Sequence, residues 1–353
     1  MATDAIQRSA NVVGLGLIGG SIAARLVESG WRVQGTDPHP GRQELAVERG
    51  IVSASGLDAD AEITFVAVPV LQLRAEVEAA LAATTGVVTD VGSVKGPLVD
   101  GIANPRFIGG HPMAGSELDG LDGADSTLFE GATWILTPNS DTPDAVFALA
   151  AGVANQLGAN VLALSADDHD RLIAVVSHVP HLTAATLMTL ADRRSEEHAS
   201  LLRMAAGGFR DMTRIASSKP GIWLDICRAN RDAIVATLDD FIAGLIDLRG
   251  TVDKEDTAGL ERLLLRAREA RSNLPARVRS LEDAVEVRIP IPDRPGSAAE
   301  IFTLAAELNV NLANFEVVHS AEGDRGIAVV LVEAGQVELF RGGLIARGFK
   351  PGR

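Results

Sequence analysis

The chain has 353 residues, of which 46% are hydrophobic and 22% are charged, and its net charge is −15. This composition is typical of a globular protein of two or three domains, and the acidic balance argues against a nucleic acid partner. No apolar run approaches the roughly 20 residues of a membrane helix, the N-terminus lacks a signal-like apolar block, and Cys227 is the only cysteine. We therefore expect a cytoplasmic protein with no membrane partner and no metal site.

The first part of the chain alternates between strands and helices. Residues 10–37 read as a strand, a glycine turn, a helix and a second strand that ends on Asp37. Further strands are predicted at 62–69, 86–93, 106–112, 133–138 and 160–165, and helices at 70–83 and 143–157. This alternation predicts an α/β fold with a mostly parallel, doubly wound sheet. We assign it to a Rossmann-type NAD-binding domain over 1–166.

The turn in residues 14–19, GLGLIG, has the spacing G-x-G-x-x-G between a strand and a helix. Such glycines let backbone N–H groups approach a pyrophosphate at the helix N-terminus. Asp37 is placed to bind a ribose hydroxyl and favours NAD over NADP, while the nearby Arg42 weakens that preference. The predicted NAD-binding residues, with NADP as an alternative cofactor, are Gly14, Gly16, Leu17, Ile18, Gly19, Asp37, Val68, Pro69 and Ser93.

From Asp167 the pattern becomes helical. Residues 167–192 read as one long helix kinked at a proline, and 219–248 as a second. The second helix carries an apolar stripe of Trp223, Ile226, Ile234, Leu238, Phe241, Leu245 and Leu248. A helix of this length with no sheet to cover is expected to pack against a second subunit. We predict an all-α substrate and dimerisation domain over 167–273 in a homodimer.

Histidine suits proton acceptance near neutral pH, which the oxidation of an alcohol by a nicotinamide cofactor requires. His111 lies in the glycine-rich block GGHPMAGSE (109–117) after a predicted strand. His178 and His181 are three residues apart, and we favour a substrate or structural role over zinc binding because no third ligand follows at a fixed spacing. We interpret His169 as a helix-start residue.

Arg210 and Arg214 lie four residues apart, on one face if the segment is helical. A guanidinium is the usual group that binds a carboxylate. The alternative is a salt bridge to Asp211 or to another acid.

The C-terminal segment 284–353 reads as strand, helix, strand, strand and helix. This order predicts a small α+β domain that follows the charged helix near 254–272.

Several blocks in a fixed order resemble the prephenate/arogenate dehydrogenase family of tyrosine biosynthesis over about residues 10–250. They are GLGLIGGS, DVGSVK (90–95), GGHPMAGSE, SHVPH (177–181) and GFRDMTRIA (208–216), with Trp223 nine residues after Arg214. The resemblance implies NAD-dependent oxidation of a cyclohexadienyl C4 hydroxyl with loss of the ring carboxylate as CO2. Prephenate would then give 4-hydroxyphenylpyruvate, whereas arogenate, the alternative substrate, would give tyrosine.

The resemblance also implies roles for individual residues. His111 would assist deprotonation of the hydroxyl, and Ser93 would support His111 beside the nicotinamide. Arg214 would bind a substrate carboxylate, His181 the other end of the substrate, and Glu117 would lie at the pocket rim. The implied catalytic residues are His111, Ser93 and Arg214, and the implied substrate-binding residues are His181, Arg214, Arg210, Glu117 and Trp223.

The C-terminal domain resembles an ACT domain, an amino-acid-sensing unit, through IPDRPGSAAEIF and NLANFEVVHS. The resemblance implies an effector site at Asp293, Gly296 and Asn311 that would bind tyrosine or a related aromatic amino acid. The usual plan of this domain ends in a strand, whereas this chain stops just after the second helix. Effector binding and domain pairing are therefore left open.

Two other functions fit the sequence less well. A β-hydroxyacid dehydrogenase on the same plan requires a lysine on the interdomain helix, whereas Lys219 precedes Pro220 in a predicted loop. A non-catalytic NAD-binding regulator would tolerate loss of the histidine, yet all the site residues are present.

Overall fold

A computed structural model of the chain describes residues 7–116, 118, 120–198, 200–273, 284–292, 296–308, 310–319, 325–333 and 336–352. The chain forms two compact units, Met1–Glu255 and Asp256–Arg353. The first unit contains a Rossmann-type sheet and a helical region, and the second is a small α+β module. The predicted fold class is thereby confirmed, whereas the domain boundaries at 166 and 273 stay a prediction.

The first unit is built on an eight-stranded sheet. Its strands are β1 (Ser9–Val13), β2 (Arg32–Thr36), β3 (Ala54–Ser55), β4 (Ile63–Val66), β5 (Val87–Asp90), β6 (Phe107–Pro112), β7 (Thr133–Thr137) and β8 (Asn160–Ala163). They lie in the order β3-β2-β1-β4-β5-β6-β7-β8, and only the β6–β7 pair is antiparallel. Chain order reverses between β1 and β4. Open α/β sheets bind ligands at the carboxyl ends of the strands beside such a reversal.

Helices cover both faces of this sheet. They are α1 (Leu17–Glu28), α2 (Pro40–Glu48), α3 (Leu73–Ala83), α4 (Gly96–Val99) and α5 (Asp144–Gln156). One apolar cluster joins the sheet to α1 and α5, and a second joins it to α3 and α4. The neighbouring β1 residues Val12 and Val13 belong to different clusters, because successive strand side chains point to opposite faces.

The helical region begins with one continuous helical stretch, as predicted. It consists of α6 (Ala166–Ile173), a π-helical turn (Ala174–His178) and α7 (Val179–Glu197). The π turn ends two residues before Pro180, whose backbone nitrogen has no hydrogen to donate to the regular helical ladder. The stretch Ala166–Glu196 is long and apolar enough to cross a membrane by length and composition alone. Its buried Asp170 accepts hydrogen bonds from the backbone of Lys95 and Gly96, so the first turns of the stretch pack against the loop after β5.

The prediction of a single helix over 219–248 is wrong. The chain forms α8 (Gly207–Thr213), α9 (Pro220–Ala229) and α10 (Arg231–Asp253). The break falls at Asn230, whose side-chain amide donates to the Asp170 carbonyl instead of facing solvent on a regular helix. Asparagine favours such local departures from the helix because its side chain competes for backbone partners.

The second unit has the predicted order of elements. It comprises α11 (Thr257–Ser272), β9 (Ala284–Pro292), α12 (Ser297–Glu307), β10 (Leu312–His319), β11 (Arg325–Glu333) and α13 (Val337–Ala346). The strands form an antiparallel sheet in the order β10-β11-β9. In residues 336–352 no strand follows α13, and a single backbone bond from Gly352 N to Arg288 O, 2.7 Å long, stands in its place.

Candidate active site

The glycine turn has the geometry of a dinucleotide cradle. Gly14 has φ of 92°, and a Cβ atom there would lie 2.4 Å from the Ala67 carbonyl oxygen. A Cβ atom at Gly19 would lie 1.9 Å from the Gly14 oxygen, so both positions require glycine. A Cβ atom at Gly16 would meet nothing within 4 Å, and no side chain caps the N-terminus of α1 that follows. This open, uncapped helix start fits a pyrophosphate.

Asp37 lies just after β2, next to the same turn. Its carboxylate accepts hydrogen bonds from Leu15 N at 2.8 Å, His39 N at 2.9 Å and Arg42 Nη1 at 3.0 Å. Burial acts to raise the pKa of Asp37, but these backbone and guanidinium bonds outweigh it and the pKa is lowered. Asp37 is therefore held as a carboxylate, and it forms an ion pair with Arg42.

The residues expected beside the nicotinamide follow strand ends at this edge of the sheet. Because β4 ends at Val66, Val68 and Pro69 lie in the following loop, and Val68 lies next to Gly14. Ser93 is half-buried in the loop after β5.

His111 lies in β6, one residue before its carboxyl end. A Cβ atom at the preceding Gly110 would lie 2.6 Å from the Asp90 carbonyl oxygen, so a glycine there allows β6 to approach the chain end of β5. His111 is 9% exposed, whereas His169 is completely buried.

A buried ion pair holds the chain beside His111. Lys95 is completely buried, donates to the Gly110 carbonyl oxygen at 2.7 Å and pairs with the Asp90 carboxylate. Asp90 also accepts bonds from Gly92 N and Gly110 N. Burial lowers the pKa of Lys95 although the Asp90 charge opposes the shift. Sequence reasoning noticed the DVGSVK block but missed this role of its two charged ends.

His169 is hydrogen-bonded to the His111 ring, and the expected support of His111 by Ser93 stays a prediction. His111 Nδ1 lies 2.8 Å from His169 Nε2, and His169 Nδ1 lies 2.7 Å from Asp170 Oδ1. The interpretation of His169 as a mere helix-start residue was therefore incomplete, because the side chain points from the first turns of α6 to His111. The available signal was a His-Asp pair at the start of an otherwise apolar helix, since buried polar groups require partners.

The environment of His111 keeps its ring neutral. Burial, together with the nearby His169, Lys95 and His178, holds the pKa of His111 well below its ordinary value of 6.5. At neutral pH the ring is consequently unprotonated at one nitrogen and able to accept a proton.

His178, His181 and Trp223 form a second group. The rings of His181 and Trp223 stack 3.5 Å apart, and Trp223 meets His178 edge-on. Burial lowers the pKa of His178 to about 4 and lowers that of His181. His178 Nδ1 contacts the Asn230 amide at 3.2 Å. The structure thus brings His178, His181 and Trp223 together. Asn230 contacts His178 and donates to the Asp170 carbonyl oxygen, so it joins this group to Asp170.

The two predicted substrate-binding arginines are exposed. Arg214 is exposed and begins a 3-10 turn (Arg214–Ser217) that packs against α7. Arg210 is also exposed, and its Nε donates to the Ala205 carbonyl oxygen at 3.1 Å within the same segment. Glu117 lies outside the described residues. The substrate-binding roles of these three residues stay predictions.

The predicted effector residues are only partly described. Gly296 precedes α12 with φ of 96°, and Asn311 is exposed before β10. Asp293 lies outside the described residues, so the effector site stays a prediction.

Two family models match consecutive parts of the chain. The prephenate dehydrogenase nucleotide-binding domain matches residues 22–163, and the prephenate dehydrogenase dimerization domain matches residues 165–266. Prephenate dehydrogenase of Bacillus subtilis (strain 168) is 33% identical over 335 residues, which cover 90% of each chain.

Solved structures agree with this match. The structure of prephenate dehydrogenase from A. aeolicus, in complex with hydroxyphenyl propionate and NAD+, is similar with a TM-score of 0.72 and 30% identity, covering 77% of this chain and 100% of that one. Synechocystis arogenate dehydrogenase has a TM-score of 0.66 and 31% identity, covering 75% and 99%. On these matches, the chain belongs to the prephenate dehydrogenase family.

Proposed function

We propose that the chain is an NAD-dependent prephenate dehydrogenase that forms 4-hydroxyphenylpyruvate and CO2. The observation that carries this function is the neutral, nearly buried His111 at the carboxyl end of β6. The glycine turn after β1 lies at the same edge of the sheet, because β1, β4, β5 and β6 are parallel. A proton acceptor and a dinucleotide cradle at one edge are what the oxidation of an alcohol requires.

The chemistry needs little more from the protein than orientation and a proton acceptor. Loss of hydride from C4 and of CO2 from C1 makes the ring aromatic, so the driving force lies in the substrate. NAD, when bound, supplies the hydride acceptor. His111 takes the hydroxyl proton as the C4–H bond breaks. The electrons of the C1–carboxylate bond then complete the ring as CO2 leaves, and the phenolate oxygen takes the proton back from His111.

The remaining site residues would bind and orient the substrate. Arg214 would pair with a substrate carboxylate, and His181, stacked on Trp223, would contact the other end. Ser93 would lie beside the nicotinamide. The Arg210 guanidinium and the Glu117 carboxylate would line the rim of the same pocket.

A steady-state comparison of prephenate and arogenate, with NAD and with NADP, tests this function. We expect the highest kcat/KM for prephenate with NAD, and 4-hydroxyphenylpyruvate as the product. Higher kcat/KM for arogenate, with tyrosine as the product, would transfer the assignment to the alternative substrate. Absence of turnover with both substrates would contradict the function itself.

Cofactor preference is expected to depend on Asp37. The substitution Asp37→Ala removes a charged acceptor for a ribose hydroxyl, and hydrogen bonds to charged groups contribute about 1.5–3 kcal/mol. We expect kcat/KM for NAD to fall roughly 10- to 100-fold. We also expect kcat/KM for NADP to rise, since Arg42 is released. The measurement is the ratio of the two kcat/KM values.

Two further variants control this experiment. In the double variant D37A/R42A the gain with NADP should disappear, because no guanidinium is left to meet the 2′-phosphate. Asp60→Ala removes an exposed carboxylate in a loop of the same unit and should leave the ratio unchanged. An unchanged ratio in D37A would show that Asp37 does not select the cofactor.

We expect the chain to form a homodimer in the cytoplasm through the helical region. Phe241 and Leu245 lie four apart on α10 and are 40% and 47% exposed, with Ile242 and Ile246 exposed beside them. Such a continuous apolar face requires a partner. In the double variant F241D/L245D we expect light scattering to report the mass of one chain, and of two chains for the wild type.

The control for the dimer is Leu339→Asp, which alters an exposed leucine of α13 in the second unit. It should leave the mass at that of two chains. A dimeric F241D/L245D variant would place the interface elsewhere.

A further inference from the structure

A line of hydrogen bonds runs from His111 into the helical region. His111 Nδ1 meets His169 Nε2 at 2.8 Å, and His169 Nδ1 meets Asp170 Oδ1 at 2.7 Å. His169 is completely buried and Asp170 nearly so. Both residues lie on α6, and His169 is 58 positions along the chain from His111, so only the fold brings them together.

Asp170 is fixed from several directions. Its Oδ1 also accepts from Lys95 N and its Oδ2 accepts from Gly96 N, each at 2.8 Å. Its backbone carbonyl accepts from the Asn230 amide at 2.8 Å. The carboxylate is therefore held at the N-terminus of α4, and the backbone of Asp170 is held at the break between α9 and α10. The carboxylate cannot turn away from His169 without breaking its bonds to Lys95 N and Gly96 N.

The order of donors along this line sets the tautomer of both rings. A carboxylate can only accept, so His169 carries its proton on Nδ1. In a neutral ring the opposite nitrogen, Nε2, is then an acceptor, and it receives the Nδ1 proton of His111. The nitrogen of His111 that remains without a proton is Nε2, on the side of the ring away from His169.

We propose that His169 and Asp170 are positioning residues for His111, which hold its proton on Nδ1 so that Nε2 is free to accept the hydroxyl proton of the substrate. This inference rests on the proposed function. When Nε2 takes that proton, the O–H bond breaks and an N–H bond forms. The resulting imidazolium keeps its Nδ1–H bond to His169, which in turn faces the Asp170 carboxylate.

The charges around His111 make such support necessary. Burial opposes a positive His111 ring most strongly, followed by His169, the Lys95 ammonium and His178, and together they lower the pKa of His111. The Lys95 charge is paired with Asp90, and Asp170 is the carboxylate that reaches the His111 ring through a direct line of hydrogen bonds. A preorganised acceptor of this kind stabilises charge that develops only during the reaction.

The first test compares two substitutions of His169. His169→Phe keeps a ring of similar size but removes both nitrogens, and we expect kcat to fall about 10²-fold, as expected when a base is left in the wrong tautomer. His169→Gln offers a side-chain oxygen to His111 Nδ1 and should recover part of that loss. KM for prephenate and Kd for NAD should stay within about 2-fold of the wild type, since His169 is completely buried. His198→Gln, at the exposed end of α7, is the matched control.

A double variant separates positioning from a structural role. If His169 acts through His111, H111N/H169F should be no slower than H111N alone, because residues that act as a unit are non-additive. A further loss of kcat in the double variant, or a normal kcat in H169F, would overturn the inference.

A measurement on the unaltered protein does not depend on the folding of any variant. Nitrogen NMR of 15N-histidine-labelled wild-type chain, with His111 assigned by comparison with H111N, reports which ring nitrogen is protonated. We expect a proton on Nδ1 and none on Nε2 of His111 at neutral pH. A proton on Nε2 would overturn the inference. If the wild type showed this tautomer but did not oxidise prephenate, the proposed function alone would fail.

Discussion

The substitution His111→Asn is expected to lower kcat for prephenate oxidation by about 10²- to 10⁴-fold, the usual contribution of a general base. This corresponds to roughly 3–5 kcal/mol of transition-state stabilisation. The asparagine amide can still donate to His169 from the position of Nδ1, so the buried network is disturbed little, but no acceptor remains in place of Nε2. NAD binding should be unchanged, because the cradle lies after β1 and not after β6.

The measurement is steady-state kcat together with Kd for NAD from calorimetry. His198→Asn makes the same chemical change at an exposed histidine and should keep the wild-type kcat. Turnover at the wild-type rate in H111N would remove His111 from the mechanism.

The pH profile of the wild type provides a second readout of the same residue. His111 accepts a proton only when its ring is neutral, so activity is lost as the pH falls through its pKa. Burial, with His169, Lys95 and His178 nearby, holds that pKa well below 6.5. We therefore expect kcat/KM to persist below pH 6.5 and to decline only in more acidic solution. A decline that begins above pH 6.5 would show that a different group limits the reaction.

The sequence allowed the Rossmann half to be predicted because its determinants are local. Apolar strands, a glycine turn and a following acid are encoded within residues 10–37, and Gly14 and Gly19 occupy positions where a Cβ atom would clash with backbone. The same reasoning placed His111 at a strand end. Parallel strands then bring such ends to one edge, as the structure shows.

The features that could not be predicted from the sequence depend mainly on hydrogen bonds between residues far apart in the chain. The break at Asn230 arises from a hydrogen bond to Asp170, 60 positions away, and the apolar stripe around it gives no sign of that bond. Lys95 and His169 are completely buried, but only the fold shows which groups satisfy them. The short α2 and β3 were also missed, because two strand residues and a weakly amphipathic helix carry little local pattern.

The second large effect is expected on KM, when the guanidinium that would bind a substrate carboxylate is removed. Arg214→Ala is expected to raise KM for prephenate by about 10²-fold or more, because loss of one partner of a hydrogen-bonded charge pair costs roughly 2–5 kcal/mol. Arg214→Lys should recover only part of this loss, since an ammonium cannot make the two parallel bonds of a guanidinium. The change should appear in KM more than in kcat, as the carboxylate is bound in the ground state as well as in the transition state.

A comparison with two other arginines makes this test specific. Arg203→Ala alters an exposed arginine in the 3-10 turn before α8 and should leave KM unchanged. Arg210 donates to the Ala205 carbonyl oxygen, which ties its guanidinium to its own segment. We therefore expect Arg210→Ala to raise KM less than Arg214→Ala does. A normal KM in R214A with a raised KM in R210A would move the carboxylate-binding role four residues earlier, from Arg214 to Arg210.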